Sequence, residues 1–273
     1  MKTKLIFKTS LLFLFILLCS FAPKKELPPI VNFTQRFMPV DTKLHVDKYA
    51  VTIRDYKLFL DEKKKAGEDI TFLMYDTSVN ARATRWFSQK TTANYPIVCV
   101  SHYGANEFCK WLTEKYNMDT KRKYKKVIFR LPTEMEYKKA TMSHYDTLKV
   151  YYPWGENVLS SYKGKEYCSF LELQQVELNY DRDADLLVYQ DKYRVKKYID
   201  PFLRIGYVNA HSPNPYGLYN MVGNVAEMID KEHIAMGGNC YSTGYNVRFN
   251  SKQKYDTSSH LVGFRVYMEI LEF

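Results

Sequence analysis

The fold of this chain is organised around Asn214-Pro215-Tyr216-Gly217-Leu218-Tyr219-Asn220-Met221-Val222-Gly223-Asn224-Val225-Ala226-Glu227-Met228. Glycine permits sharp backbone turns, and asparagine tolerates left-handed geometry or offers an amide oxygen. The stretch therefore predicts an oxygen-lined loop rather than a helix or a strand. Ca²⁺ prefers mixed carboxylate, amide and carbonyl oxygens, and Asn220 and Glu227 are candidate side-chain ligands. The alternative is a structural turn, because the stretch has no acidic run of the EF-hand kind.

The composition is that of a globular protein with one large domain or two small ones. Hydrophobic residues make up 46% of the chain and charged residues 26%. Aromatic residues reach 16%, with 24 Tyr among them. Tyrosine combines a large apolar area with a polar hydroxyl, so this abundance suits either an irregular core or a binding face.

The positive charge is spread along the sequence, with tight clusters only at residues 63–65 and 121–126. No nucleic-acid recognition motif accompanies either cluster, so a solvated face explains them better than a nucleic-acid partner does. An anionic partner such as a glycan is the remaining alternative.

The N-terminus has the parts of a secretory signal peptide over residues 1–22. Lys2, Lys4 and Lys8 precede an apolar run at residues 11–18 that is too short to span a bilayer comfortably, and small residues follow. We expect an exported protein, periplasmic or at the cell surface, whose formal charge falls by three from +10 to +7. The alternative is a lipoprotein acylated at Cys19, which would be its only attachment to a membrane, although Leu18 sits where that processing prefers a small residue.

The cysteines and histidines show no metal or redox motif. The cysteines after the leader are Cys99, Cys109, Cys168 and Cys240, and no C-x-x-C pair occurs among them. Export permits disulfides, but so few cysteines in a long chain are not a disulfide scaffold, and their pairing stays open. The histidines are scattered singly, without the i, i+4 spacing of a helical metal site.

Residues 23–40 contain several prolines and predict an extended leader, followed by one domain over residues 41–273. Alternation at residues 46–51 indicates a strand, and Thr52 is a plausible N-cap for a helix that ends at Gly67. Residues 69–94 lack periodicity and suggest a surface insertion held by Trp86 and Phe87.

A second strand is expected at residues 95–100, with Ser101 capping a second helix. The buried stripe of this helix is expected at Ala105, Phe108, Cys109, Leu112 and Tyr116. A strand at 127–131 and a helix with a Thr133 and Glu136 capping box follow. After long loops to about residue 208, strands return near the C-terminus, so the fold class is α+β with few helices, short antiparallel strands and long ordered loops.

The order of landmarks resembles the formylglycine-generating-enzyme family, also called the sulfatase-modifying-factor domain, a variant of the C-type-lectin-like fold. The similarity rests on the opening stretch and six further pieces: residues 46–52, residues 95–101 leading to Cys109-Lys110-Trp111-Leu112, Phe129-Arg130-Leu131-Pro132-Thr133-Glu134, Tyr152-Pro153-Trp154-Gly155, Gly237-Gly238-Asn239 and Gly263-Phe264-Arg265. They span residues 40 to 270 in the family's order.

The resemblance implies a structural calcium ion in the opening stretch. The family's ligands are an Asn side chain, two backbone carbonyls and a Glu, which fall on Asn220, Gly223, Val225 and Glu227. A second family site would use Asp200 and the carbonyl of Phe202. Its remaining ligands should lie near Cys168 and Ser169, where the sequence departs from the family and has no Asn.

The resemblance also implies where the family's chemistry would be. The enzyme oxidises a sulfatase cysteine to formylglycine with two copper-binding cysteines, whose positions fall on Ser242 and Val247. Cys240 lies two positions early, and a lone thiol cannot replace a pair of soft sulfurs that holds Cu(I). We therefore expect no catalytic residues and no copper, and interpret Cys240 as a buried or disulfide-bonded thiol.

Two functions follow. The first is a non-catalytic, exported, calcium-stabilised module for binding or assembly in the cell envelope, similar to gliding or secretion lipoproteins, with an envelope protein or glycan as partner. Its face would contain Tyr241, Ser242, Tyr245, Asn246, Arg248 and Asn250, a mixture suited to adaptable polar contact. The alternative for these residues is an ordinary surface loop. The second function is a diverged formylglycine-generating oxidoreductase that uses Cys240.

Overall fold

The structure is a computed structural model that describes residues 27–79, 82–159, 166–170, 178–181, 186–189 and 204–273. The expected signal peptide with Cys19, and the expected ligands Asp200 and Phe202, lie outside these residues. None of the helices in the described ranges combines the length and the apolar character needed to cross a membrane.

The three longest helices begin where the sequence places their caps. In chain order the α-helices are α1 (Phe33–Arg36), α2 (Ile53–Lys65), α3 (Ala83–Ser88), α4 (His102–Met118) and α5 (Glu134–Met142). Thr52 and Asp55 form a capping box on α2, Ser101 caps α4, and Thr133 and Glu136 form the expected capping box on α5. Gly67 follows α2 with φ +80°, a conformation that glycine adopts without strain. The expected α4 stripe is confirmed, since all of its members are buried.

The strands of the described residues form two four-stranded sheets and one separate antiparallel pair. In chain order they are β1 (Phe37–Pro39), β2 (Leu44–Asp47), β3 (Lys126–Arg130), β4 (Leu178–Asp181), β5 (Leu186–Tyr189), β6 (Ala226–Met228), β7 (Ile234–Met236), β8 (Lys252–Lys254), β9 (Val262–Gly263) and β10 (Tyr267–Glu272). The first sheet has the antiparallel order β1-β2-β10-β3, and β4 pairs with β5. The second sheet has the order β8-β7-β6-β9, and its β6–β9 pair is parallel.

The largest core cluster joins the first sheet to α2 and α4. Tyr56 and Phe59 on α2 pack against Phe108 on α4, with ring centroids 5.7 and 5.5 Å apart, and Phe264 closes the cluster. Such offset and edge-to-face ring pairs add to the free energy of simple area burial. This cluster holds the loops of the second sheet on a rigid support.

Three expected elements differ from the structure. The strand expected at residues 46–51 ends at Asp47, since β2 covers Leu44–Asp47. Where described, the expected leader contains α1 and β1, and Arg36 is fully buried with ion pairs to Asp47 and Asp55 at 2.6 and 3.1 Å. These long-range ion pairs draw the segment into the domain, which sequence periodicity does not reveal. Residues 95–100 form only one isolated bridge, Thr52 with Pro96, instead of the expected strand, although residues 96–100 are buried. The expected class, α+β with few helices and mostly antiparallel short strands, is confirmed.

Candidate functional site

The opening stretch is a folded loop that leads into β6, and its asparagines shape it. The Asn214 side chain accepts hydrogen bonds from the amides of Tyr216 and Leu218 at 3.1 and 3.0 Å, which closes a turn. Asn220 and Asn224 have positive φ of 49° and 62°, the left-handed geometry that the sequence suggested. The loop therefore owes its shape to local asparagine chemistry.

Two of these asparagines tie the loop to the segment that precedes it. The Asn220 amide donates to the carbonyls of Tyr207 and Val208 at 3.1 and 2.9 Å. The Asn224 side chain accepts from the amide of Gly206 at 2.8 Å and donates to the carbonyl of the same residue at 3.3 Å. The two residues share type and backbone geometry. They differ in that the side-chain oxygen of Asn224 accepts a hydrogen bond, whereas that of Asn220 has no partner among the described residues.

Glu227 forms a buried ion pair with Arg265 from the Gly-Phe-Arg segment. Both residues are 1% exposed, and their closest contact, between Arg265 Nη2 and Glu227 Oε1, is 2.7 Å. Arg265 also donates to the carbonyls of Asp47 and Tyr219 at 2.9 and 2.6 Å. Burial raises the pKa of the Glu227 carboxyl above its ordinary value, and the adjacent guanidinium opposes that rise.

The expected calcium ligands offer unequal acceptors. Asn220 Oδ1 is buried without a hydrogen-bond partner in the described chain, and Asn220 lines a cavity of about 20 Å³, enough for one small occupant. Across the same ranges, no loop amide or side chain donates to the carbonyls of Gly223 and Val225. Glu227 would have to share its carboxylate with Arg265. Gly223, Val225 and Glu227 do not line this cavity, so the unpaired Asn220 oxygen is the one feature of the expected set that points to a hard cation.

Clusters of acidic or soft ligands are not part of this site. Within the described ranges, no group of three or more His, Cys, Asp or Glu side chains is placed to hold a metal ion. The expected calcium ligands include only one carboxylate, and the others are amide and carbonyl oxygens. The absence of such a cluster therefore does not bear on the calcium site, which remains a prediction.

The positions of the family's cysteine pair have no thiol chemistry here. Val247 is fully buried against Tyr152 and Val222. The Ser242 hydroxyl accepts a hydrogen bond from the amide of Asn239 at 3.0 Å and so closes a tight turn.

The nearby thiol is buried, as expected for an unreactive cysteine. Cys240 is 1% exposed, and burial raises the pKa of its thiol to about 12. The thiolate is the nucleophile and the metal ligand, so burial disfavours the reactive form of Cys240 at neutral pH. No disulfide joins the cysteines of the described chain. All of them are free and buried: Cys99, Cys109, Cys168 and Cys240.

The candidate binding face is grouped on one loop after Gly237 and Gly238. Tyr245 is 50% exposed, Asn246 and Asn250 are exposed, and Tyr241, Ser242 and Arg248 are partly exposed. Gly238 has φ +70°, and a Cβ added there would clash with the carbonyl oxygen of Asn246. A glycine is therefore required for the loop to fold back on itself and present the face.

Arg248 lies between two tyrosine rings at the centre of this face. Its guanidinium carbon is 4.2 Å from the ring centroid of Tyr245 and 4.3 Å from that of Tyr151, within the range of cation–π attraction. Tyr151 was not among the expected face residues, although it directly precedes the Tyr-Pro-Trp-Gly landmark. Its carbonyl accepts a hydrogen bond from the amide of Phe249 at 3.2 Å, which fixes the two segments together.

Arg248 has no oxygen partner in the described part of the chain. Its guanidinium forms no ion pair there and donates no hydrogen bond to a protein oxygen, and its Nε is buried and unpaired. A guanidinium whose donors meet no protein oxygen can bind a carboxylate, sulfate or phosphate. Arg248 is therefore a candidate anion-binding group on this face.

Comparisons with known proteins agree with this fold. The family model described as "Sulfatase-modifying factor enzyme 1-like domain" matches residues 34–270. Among solved structures, PvdO from Pseudomonas aeruginosa is similar at 16% identity and a TM-score of 0.51, covering 83% of this chain and 80% of that one. CarF is similar at 17% identity and a TM-score of 0.54, covering 83% and 86%. None of the curated proteins compared with the chain matches it. At these identities the structural likeness concerns the fold alone.

Proposed function

The chain belongs to the sulfatase-modifying factor enzyme 1-like domain family, and from that premise we propose that it is a non-catalytic binding or assembly module of the cell envelope. The proposal separates the family's scaffold from the family's chemistry. The scaffold is present in the described chain, and the two positions that the resemblance gives to the copper-binding cysteines hold Ser242 and Val247.

The observation that carries this proposal is the pair of side chains at Ser242 and Val247. Copper-dependent oxidation of a cysteine requires thiolates that bind Cu(I) and accept a substrate sulfur. A valine fully buried in an apolar cluster has no donor atom, and the serine hydroxyl is engaged by the amide of Asn239. Cys240 would have to lose a proton from a thiol whose pKa is raised to about 12 by burial.

Recognition would take place at the face around Arg248. Exposed tyrosines supply rigid contact area, and asparagine and serine supply adaptable hydrogen bonds. Arg248 adds one fixed cation without an oxygen partner in the described chain. The partner is an envelope protein or a glycan that presents an anionic group, a carboxylate or a sulfate, to the edge of this guanidinium.

Calcium would stabilise the loop beneath the face. Asn220 Oδ1 and the carbonyls of Gly223 and Val225 would bind the ion, with Glu227 shared between it and Arg265. Bound calcium supplies fixed positive charge and no redox chemistry, so its role is structural. The unpaired, buried Asn220 oxygen supports this assignment.

The place of action follows from the N-terminal sequence. The basic and apolar character of residues 1–22 favours export to the periplasm or the cell surface. Contact with the membrane would run through a lipid on Cys19 in the alternative processing, and no nucleic-acid partner is proposed.

The experiment that separates this function from the diverged oxidoreductase is an assay of aldehyde formation on a cysteine-containing sulfatase-motif peptide, with copper and oxygen supplied. We expect no conversion by the wild-type protein. Conversion that is abolished in Cys240→Ser but retained in Cys168→Ser, another buried thiol, would establish the enzyme and overturn the proposal.

A further inference from the structure

A second cavity lies on the first sheet, away from the candidate face. It is a groove of about 730 Å³ between the α1–β1 segment and the loop that follows α4. Small-molecule sites in proteins commonly have volumes of about 300–1,000 Å³. The groove shares no lining residue with the candidate face or with the opening stretch.

The floor of this groove is apolar and rigid. Phe37, Tyr116 and Met268 on the floor are 6%, 3% and 3% exposed. Phe33 packs across them, with its ring centroid 4.8 Å from that of Tyr116 and 6.1 Å from that of Phe37. Packed rings keep their positions, so the floor offers preformed apolar area to an acyl chain or an aryl ring.

The rim of the groove is cationic. Lys121 and Lys123 are exposed, and neither forms an ion pair with another residue in the described ranges. Arg122 is held instead by the carbonyls of Asp119 and Lys125 at 3.1 and 3.0 Å, which braces the turn. The Asp119 carboxylate accepts a hydrogen bond from the Lys121 amide at 2.8 Å. The rim therefore presents two ammonium groups without a carboxylate partner in the described residues, of which that of Lys123 lies 5.0 Å from the ring centroid of Tyr124.

One wall of the groove is polar without adding charge. His45 Nε2 lies 3.4 Å from the Tyr124 hydroxyl, and the two rings meet edge to face with centroids 5.7 Å apart. Burial, followed by the nearby Lys123 charge, lowers the pKa of the His45 imidazole, so this ring is neutral at pH 7. Charge selection would come from the rim, where Lys121, Arg122 and Lys123 outnumber the single carboxylate of Asp119.

We propose that this groove binds an amphipathic carboxylate, with an acyl or aryl body on the aromatic floor and the carboxylate between Lys121 and Lys123. The apolar body is required to cover the apolar side chains of the lining that remain exposed, such as Val31 at 37%. The anionic head is required because the rim carries unpaired cations, and a charge-assisted contact with them fixes the orientation of the ligand. This site is independent of recognition at Arg248.

The first test is calorimetric titration of the full chain with decanoate, decanol and hexanoate. We expect decanoate to bind at one site and decanol to bind about tenfold more weakly, since it lacks the charge. Each methylene removed between decanoate and hexanoate should weaken binding by up to about fourfold, because it buries less apolar area. Equal affinities for decanoate and decanol would overturn the assignment of the head group, and decanoate binding at many equivalent sites would overturn the groove as a site.

A charge-reversal pair locates the ligand. Lys121→Glu with Lys123→Glu should weaken decanoate binding about tenfold or more and leave decanol binding unchanged. Lys231→Glu with Lys254→Glu makes the same change of net charge at exposed lysines outside the groove lining, and should leave decanoate binding within twofold of wild type. Equal weakening by both pairs, or by neither, would contradict the proposal.

Discussion

Two arginines in the C-terminal part of the chain show opposite ways of holding a guanidinium. Arg265 is buried and donates to both oxygens of Glu227 and to the carbonyls of Asp47 and Tyr219. Arg248 lies on the surface between the rings of Tyr151 and Tyr245 and donates to no oxygen in the described chain. Protein oxygens accept hydrogen bonds from the Arg265 guanidinium, whereas the donors of the Arg248 guanidinium meet no oxygen in the described chain.

The difference in pairing between these two arginines indicates that one serves stability and the other recognition. A buried charge requires full pairing, because an uncompensated charge in the interior costs several kcal/mol. A partly exposed cation tolerates unpaired donors, and rings that fix its orientation reduce the entropy lost when a ligand binds. Arg265 should therefore be essential for folding and Arg248 for binding.

The largest expected effect is on folding, in Arg265→Met. This change leaves the Glu227 carboxylate buried without its cation, and we expect a loss of about 3–5 kcal/mol in the free energy of unfolding, measured by urea denaturation at pH 7. The control is Arg130→Met, which breaks partly exposed ion pairs with Glu136 and Glu269 and should cost about 1 kcal/mol. Equal losses in the two variants would contradict the distinction.

The same variant has a predicted pH dependence. Burial raises the pKa of Glu227 in the folded state, and removing Arg265 removes the charge that opposes the rise. The folded variant then binds the Glu227 proton more tightly than the unfolded chain does, so its stability falls as pH increases from the ordinary carboxyl pKa through the raised one. The loss relative to wild type should be smaller at pH 5 than at pH 7, and a pH-independent loss would argue against this origin.

A smaller loss of stability is expected at the glycine that folds the face, in Gly238→Ala. The added Cβ meets the carbonyl oxygen of Asn246, and alanine disfavours the positive φ, so we expect a cost of about 2 kcal/mol or more. The thermal midpoint measures this cost. The control is Gly67→Ala, where φ is also positive but no atom lies near the added Cβ, and its cost should be about 1 kcal/mol. Equal costs would mean that the contact with Asn246 does not constrain the loop.

Calcium should raise the thermal midpoint by several degrees, because a ligand that binds only the folded state stabilises it by mass action. Asn220→Asp should be less stable than wild type in chelator, since it loses amide hydrogen bonds, but should gain more from calcium because a carboxylate binds the ion more strongly.

Asn224→Asp is the matched control for the calcium site. Asn224 has the same residue type and a positive φ, and its side-chain oxygen is already engaged by Gly206. Its calcium response should equal that of wild type. The proposed calcium site would be wrong if calcium did not raise the thermal midpoint of the wild-type protein. It would also be wrong if calcium raised the midpoints of the two variants equally.

The elements fixed by local chemistry were predictable from the sequence. The caps at Thr52, Ser101 and Thr133 act within three residues, and the α4 stripe follows from helical periodicity. The incorporation of residues 27–40 into the domain was not predictable, because it depends on Arg36 meeting carboxylates 11 and 19 residues away.

The candidate site shows the same limit. Its loop and its exposed tyrosine and asparagine residues could be placed from composition and resemblance. The pairing of Glu227 with Arg265 across 38 residues, and the stacking of Tyr151 on Arg248, depend on the tertiary fold. Spacing in the sequence carries no signal for either contact, although both decide how the site works.

The most direct test of the central claim compares Arg248→Gln with Arg204→Gln in quantitative recovery of partners from the native envelope. Arg204 also lies over a tyrosine ring, that of Tyr241 at 5.6 Å, but it already donates to the carbonyl of Phe170. We predict that Arg248→Gln lowers partner recovery about tenfold at an unchanged thermal midpoint, because one charge-assisted contact is lost. Arg204→Gln should recover the wild-type amount. Undiminished recovery by Arg248→Gln would contradict the claim that this arginine is the recognition group.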